Sequence, residues 1–101
     1  MTWVAVAGAH EIEEEDVIEV TVGERVLAIY RTREGYFATD GICTHQRAHL
    51  AEGLVIGNVI ECPKHQGRFD LRDGAPKGPP ASVALCTYPV KLSDGRVHVE
   101  I

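Results

Sequence analysis

Cys43-Thr44-His45 and, after sixteen intervening residues, Cys62-Pro63-Lys64-His65 deal four metal-binding side chains in two pairs, one cysteine and one histidine in each. Two thiolates and two imidazoles suit either a zinc ion or a [2Fe-2S] cluster. Spacing discriminates between them. In zinc sites of this composition the cysteines usually come as one pair and the histidines as another, with at least two residues between members. Here the order alternates, and a single residue separates Cys43 from His45. Ligands that close in sequence reach one tetrahedral ion awkwardly but easily reach two metals held side by side, so the pattern favours a dinuclear cluster.

Working outward, Leu54-Val55-Ile56 and Val59-Ile60-Glu61 read as two short strands around a tight Gly57-Asn58 turn that ends at Cys62. An antiparallel hairpin returns its two ends side by side, so the loops before and after it can face one site. Upstream, residues 17–22, 25–31 and 36–40 read as a three-stranded meander that delivers the chain to Gly41-Ile42-Cys43, and Trp3 to Val6 read as a first strand. Downstream, Phe69-Asp70-Leu71 and the Asp73-Gly74 turn lead out of the site, and residues 88–92 and 96–101 form a closing hairpin around Ser93-Asp94-Gly95. Nearly every pattern has period two, with no internal repeat and no amphipathic helix. The expected fold class is all-β, a small antiparallel barrel or sandwich.

A chain of 101 residues is one domain by size, with room for one core and one site. Charged residues at 25% and hydrophobic residues at 45% are the proportions of an ordinary soluble globular domain. The apolar runs are far shorter than the ~20 residues that span a bilayer. The N-terminus lacks the basic and long apolar segments of a secretory signal, so a cytoplasmic location without membrane attachment is expected. The formal charge of -5 argues against nucleic acid and fits a protein partner. Three cysteines make an odd number for a disulfide framework. The third, Cys86, follows Val83-Ala84-Leu85 and is expected to be a small buried hydrophobe. Residues 10–16 carry five of the fifteen acidic residues and read as a solvated connecting loop or a patch for a basic partner.

The ligand pattern resembles the Rieske motif, C-x-H followed by C-x-x-H. The likeness continues through Leu50 and Gly53, Cys62-Pro63-Lys64-His65-Gln66-Gly67-Arg68-Phe69-Asp70 and Gly78-Pro79-Pro80, in the order Rieske domains use. It covers essentially the whole chain and is similar to the small ferredoxins of multicomponent aromatic-ring-hydroxylating dioxygenases of the biphenyl, toluene or carbazole kind. The resemblance implies a Rieske fold in which a cluster-binding subdomain, about residues 41–80, is inserted in the β-barrel base of the single domain 1–101. It also implies one [2Fe-2S] cluster, with Cys43 and Cys62 on one iron and His45 and His65 on the other. Gly78-Pro79-Pro80 would pack over the cluster as a third wall.

Two ferric ions, two sulfides and two thiolates sum to zero with neutral imidazoles, so reduction makes the centre singly negative. A four-thiolate cluster starts two charges lower, and the histidines therefore raise the potential. They also couple it to protonation, so potential should fall as pH rises. High-potential Rieske proteins add a disulfide between the ligand loops and Ser and Tyr hydroxyls that donate to the cluster sulfurs. This chain has Ala48, Lys64, Gly67 and Phe69 at the matching places, which implies a potential toward the low end of the roughly -150 to +300 mV range.

The expected function is a one-electron carrier, catalysing no bond change, between a flavin-containing NAD(P)H reductase and a terminal oxygenase. As a transient carrier it is expected to be a monomer. The alternatives are a Rieske-type small subunit of an assimilatory nitrite reductase and a zinc-binding structural module. His10, His49 and His98 are read as loop or surface residues. Gln46, Arg47, Lys64, Gln66 and Arg68 flank the ligands, either as ordinary exposed loop residues or as a tip that docks on acidic surfaces of redox partners.

Overall fold

Four consecutive side chains, Leu27, Ala28, Ile29 and Tyr30, are fully buried. A strand points successive side chains to opposite faces, so such a run needs cover on both sides. Leu27 and Ile29 enter one core, whereas Ala28 and Tyr30 enter a second. The computed structural model describes residues 2–44, 47–64, 66–79 and 81–101.

The ten strands are β1 (Trp3–Gly8), β2 (Asp16–Val22), β3 (Arg25–Thr32), β4 (Gly35–Asp40), β5 (Leu54–Ile56), β6 (Val59–Glu61), β7 (Arg68–Asp70), β8 (Thr87–Tyr88), β9 (Val90–Ser93) and β10 (Arg96–Glu100). They pair antiparallel in three sheets of order β1-β10-β9, β2-β3-β4-β8 and β5-β6-β7. Helix among the described residues is confined to two 3₁₀ turns, Ala9–Glu11 and Leu50–Glu52. The all-β class and the meander are as the sequence predicts.

Short turns set the registers. Val22 faces Arg25, Ile56 faces Val59 and Ser93 faces Arg96, each across a two-residue turn. In the last of these, Asp94 and Gly95 both have positive φ, 53° and 72°, the twist that a two-residue hairpin requires. The closing hairpin acquires a third strand that pattern alone did not reveal, because β10 also pairs with β1 through a bulge between Ala5 and Ala7. Similarly, Phe69-Asp70 does not simply lead out of the site. It lies in β7, which extends the β5–β6 hairpin to three strands, with Ile60 opposite Phe69.

The lower core gathers Ile12, Leu27, Ile29, Ala38, Val97 and Val99 beneath the β1-β10-β9 sheet. Ile12 is completely buried although it stands inside the acidic run, whose Glu11, Glu13, Glu14, Glu15 and Asp16 are all exposed. The run is therefore pinned at its middle rather than looping free, and Arg31 donates to the Ile12 carbonyl at 3.1 Å. The upper core contains Tyr30, Leu50, Ile60, Phe69, Leu71 and Leu85 together with Cys43 and Cys62.

Candidate metal centre

The two predicted cysteine ligands stand at the roots of two loops that close in the same way. The Cys43 amide donates to the Ala48 carbonyl at 2.9 Å, and the Cys62 amide donates to the Gly67 carbonyl at 2.6 Å. In each case the bond runs from a cysteine to the carbonyl five residues on and fixes the cysteine at the root of its loop. Gln66 supports the second reversal with a φ of 58°, a left-handed conformation uncommon for a residue with a side chain.

The frame behind these loops is backbone. The amide of Gly41 donates to Val26 of β3 and that of Leu50 to Gly41, both at 2.8 Å, so the first loop is tied to the central strand. Gly53 closes the return path. A methyl group built there would stand 2.1 Å from the Glu61 carbonyl oxygen, immediately before Cys62, so glycine is what allows the end of the first loop to lie against the start of the second.

A third segment crosses both. The Lys77 amide donates to the Arg68 carbonyl at 2.8 Å, Ala81 is buried against Gly67, and the Thr44 hydroxyl donates to the Val83 carbonyl at 2.6 Å. Residues 77–83 thus touch the second loop and then the first; Pro80, within this stretch, lies outside the described residues.

Cys43 and Cys62 are buried, unbridged and within hydrogen-bonding reach of each other. Burial, opposed by the Lys64 amide and reinforced by the neighbouring Cys43, pushes the Cys62 thiol above its ordinary value. A metal centre that displaces the thiol protons would relieve that cost. The Lys64 amide already points at the Cys62 sulfur, 3.4 Å away, where it would stabilise a thiolate. Two adjacent soft donors in a pocket screened from water fit one iron of a cluster. His45 and His65, the predicted ligands of the other, lie outside the described residues, as does Gln46. Among the described residues no group of three or more His, Cys, Asp or Glu side chains is gathered as a metal site.

A family model described as the Rieske [2Fe-2S] domain matches residues 2–89. The chain belongs to that family. Its cofactor is accordingly one Rieske-type [2Fe-2S] cluster. The chain is 40% identical over 99 residues, 98% of its length and 95% of the relative's, to the ferredoxin component of the naphthalene 1,2-dioxygenase system of Pseudomonas aeruginosa. Among solved structures, the Sphingomonas yanoikuyae B1 ferredoxin superposes with a TM-score of 0.93 at 33% identity, with 99% of each chain covered. A structure described as the complex of reduced oxygenase and oxidized ferredoxin in carbazole 1,9a-dioxygenase matches with a TM-score of 0.90 at 38% identity, covering 96% of this chain and 91% of that one.

The remaining predicted positions separate clearly. His10 is exposed and His98 is half-buried, its ring nitrogen 3.3 Å from the Arg96 carbonyl, so both keep surface roles. His49 is exposed but not idle: its Nδ1 lies 2.5 Å from Glu19 of β2, linking the first loop to the base. That carboxylate raises the imidazole's pKa.

Cys86 corrects the sequence reading, because its side chain is exposed. Residues 81–86 form no strand, and only Ala81 and Leu85 turn inward while Val83 is 60% exposed. The Cys86 carbonyl accepts the Asp40 amide at 3.0 Å, which holds the backbone beside β4 and leaves the thiol in an open cleft lined also by Arg25, Asp40 and Tyr88. Apolar neighbours in sequence did not become neighbours in space.

Two polar devices escaped the sequence reading. Tyr30 and Thr39 share a buried 2.8 Å hydrogen bond, and burial drives the phenol's pKa strongly upward. Asp70, also buried, accepts from the Arg72 backbone amide and from Nε and Nη2 of its guanidinium, and lies 3.7 Å from Lys77. Its carboxyl also organises the turn that carries the chain from β7 towards Lys77. The only available signal was an acid two residues before an arginine, which is too common to single out.

Proposed function

We propose that this protein is a one-electron carrier that receives electrons from a flavin-containing NAD(P)H reductase and delivers them singly to a terminal ring-hydroxylating oxygenase in the cytoplasm. Cys43 and Cys62 would hold one iron of the cluster, and His45 and His65 the other, within a cluster-binding part of about residues 41–80 in the single domain 1–101. The cluster supplies a one-electron couple, and the protein makes and breaks no substrate bond. What this chain contributes is burial of the two thiols, the Lys64 amide directed at one of them, and loops that keep the site at the surface.

The observation that carries the reading is the pair of adjacent, buried, unbridged thiols at the roots of two identically closed loops. The relatives that are ferredoxin components of dioxygenase systems favour a shuttling carrier over a structural zinc module or a permanently bound reductase subunit. No helix among the described residues is long and apolar enough to cross a membrane. The direct test is electron paramagnetic resonance of the dithionite-reduced protein, with iron and acid-labile sulfide assayed on the same sample. A low average g value with about two irons and two sulfides per chain is expected. One zinc per chain without sulfide would overturn the reading, and so would inseparable co-purification with a large reductase.

A further inference from the structure

Residues 48–50 form the returning side of the first ligand loop. The Cys43 amide donates to the Ala48 carbonyl, His49 makes an isolated antiparallel bridge with Ile42, and the Leu50 amide donates to Gly41. The His49 carbonyl then accepts the Glu52 amide at 3.0 Å, which starts the 3₁₀ turn that follows. Whatever holds residue 49 in place therefore steadies the backbone from which Cys43 projects.

The His49 side chain provides such a hold, because it leaves this ladder for the base of the molecule. Its Nδ1 stands 2.5 Å from a carboxylate oxygen of Glu19, at the middle of β2, and Glu19 is itself fixed opposite Ala28 of β3. The charged groups facing the imidazole are Glu19 of β2 and Glu52 of the 3₁₀ turn, and both favour the protonated ring. The pair is partly open to water, with 47% of the histidine and 34% of the glutamate side chain exposed, so its strength is that of a screened surface contact.

The second loop is tethered by different chemistry. Arg68 pairs with Glu61 at 2.9 Å, and Lys77, whose amide donates to the Arg68 carbonyl, lies 3.7 Å from Asp70. Guanidinium, ammonium and carboxylate groups ordinarily keep their charges between about pH 6 and about pH 9, whereas an imidazole changes within that range. Among the described ion pairs, the one on the first loop is therefore the one that pH can undo.

We propose that His49 is a positioning residue for the cluster: its ion pair with Glu19 latches the first ligand loop onto β2 and releases that loop as the imidazole loses its proton. The proposal rests on the reading of Cys43 as a ligand, and His49 acts on the cluster only through the Cys43 backbone. Its direction follows from linkage. A proton held more tightly in the latched loop than in the opened one stabilises the closed state fully below the ordinary imidazole value of about 6.5, and that stability is lost as pH rises through the raised value of the latched state. Cluster retention should therefore weaken in mild alkali through a group that binds no iron.

The test follows release of the cluster from the oxidised holoprotein to an iron chelator, read by visible absorbance at about 20 mM salt so that screening is slight. At about pH 6, His49→Gln and Glu19→Gln should each release the cluster about two- to fivefold faster than the unmodified protein. At about pH 9 the three should release it at nearly the same rate, because the unmodified latch is then already undone. His49→Lys keeps a cation at the position and should release more slowly than the unmodified protein at about pH 9. Hydrogen exchange read by mass spectrometry should show lower protection over residues 41–52 in Glu19→Gln at about pH 6, with residues 62–68 unchanged.

Rates and pH profiles that do not differ among these proteins would overturn the proposal, and so would equal loss of protection at both loops. Should His49→Gln fail to load its cluster, Glu19→Gln decides alone, since it lies on β2 outside the loop. A cluster that survives Cys43→Ser would instead defeat the ligand reading on which the latch rests.

Discussion

The core beneath the ligand loops and the core beneath the closing hairpin use opposite faces of β3, yet they are assembled differently. The lower one is aliphatic and spanned by strands of four to eight residues, with Val97 and Val99 laid across Leu27 and Ile29. The upper one is capped by three strands of three residues each and by loops tied to one another through single backbone bonds. It also contains two thiols and the Tyr30–Thr39 hydrogen bond. A core closed by loops has fewer cooperative contacts resisting local opening. A bound cluster supplies what the short strands lack, so metal binding and local folding should be linked at one end of the molecule and independent at the other.

The largest effect should come from removing a ligand. Cys43→Ser or Cys62→Ser is expected to abolish the reduced-state resonance completely while the amides of β1, β9 and β10 keep their protection in hydrogen exchange. Loss of protection throughout would show that the two cores fold as one unit. Next, Phe69→Ala and Ile29→Ala each open a fully buried position, one in each core, and should cost about 3–5 and 2–5 kcal/mol in denaturant titrations. They should differ in kind: Phe69→Ala should accelerate cluster loss to a chelator before global unfolding, and Ile29→Ala should not.

A smaller change probes the contact between the ligand loops. Gly53→Ala must push back the Glu61 carbonyl and should cost about 1–3 kcal/mol, with faster cluster release and unchanged exchange at β10. The smallest concerns acid. The Arg72 side chain, helped by its amide and by Lys77 against the cost of burial, holds Asp70 below the ordinary carboxylate range, at about 2. A depressed folded value means stability that is present above pH about 4 and lost as pH falls through about 2. The urea midpoint should drop across that window, and Asp70→Asn should flatten the drop. An unchanged profile would mean that the Asp70 pairs do not contribute to stability.

Much of the fold was legible because strands announce themselves locally. Alternation marked β2 and β10, runs of β-branched and aromatic residues marked β3 and β4, and glycine-containing turns marked where they reverse. β7 and the pairing of β1 with β10 were not legible, since a three-residue strand has almost no pattern and the partner of an edge lies far along the chain. The site divides similarly. Cysteine and histidine at unusual spacing named the candidate ligands, but Gly53 against Glu61 and His49 against Glu19 are meetings of distant residues that no local pattern encodes. Cys86 shows the converse error, where apolar neighbours in sequence suggested burial that the strandless stretch 81–86 does not provide.

The sequence by itself determined the kind of chemistry and the class of fold, because ligand identity, spacing and period-two alternation are properties of short stretches. Tertiary structure alone decided that β3 serves two cores, that Cys43 and Cys62 meet out of water, and that Cys86 is left exposed. Burial, proximity and local charge depend on which distant segments pack together, and that is set by the free energy of the whole chain rather than by any one part of it.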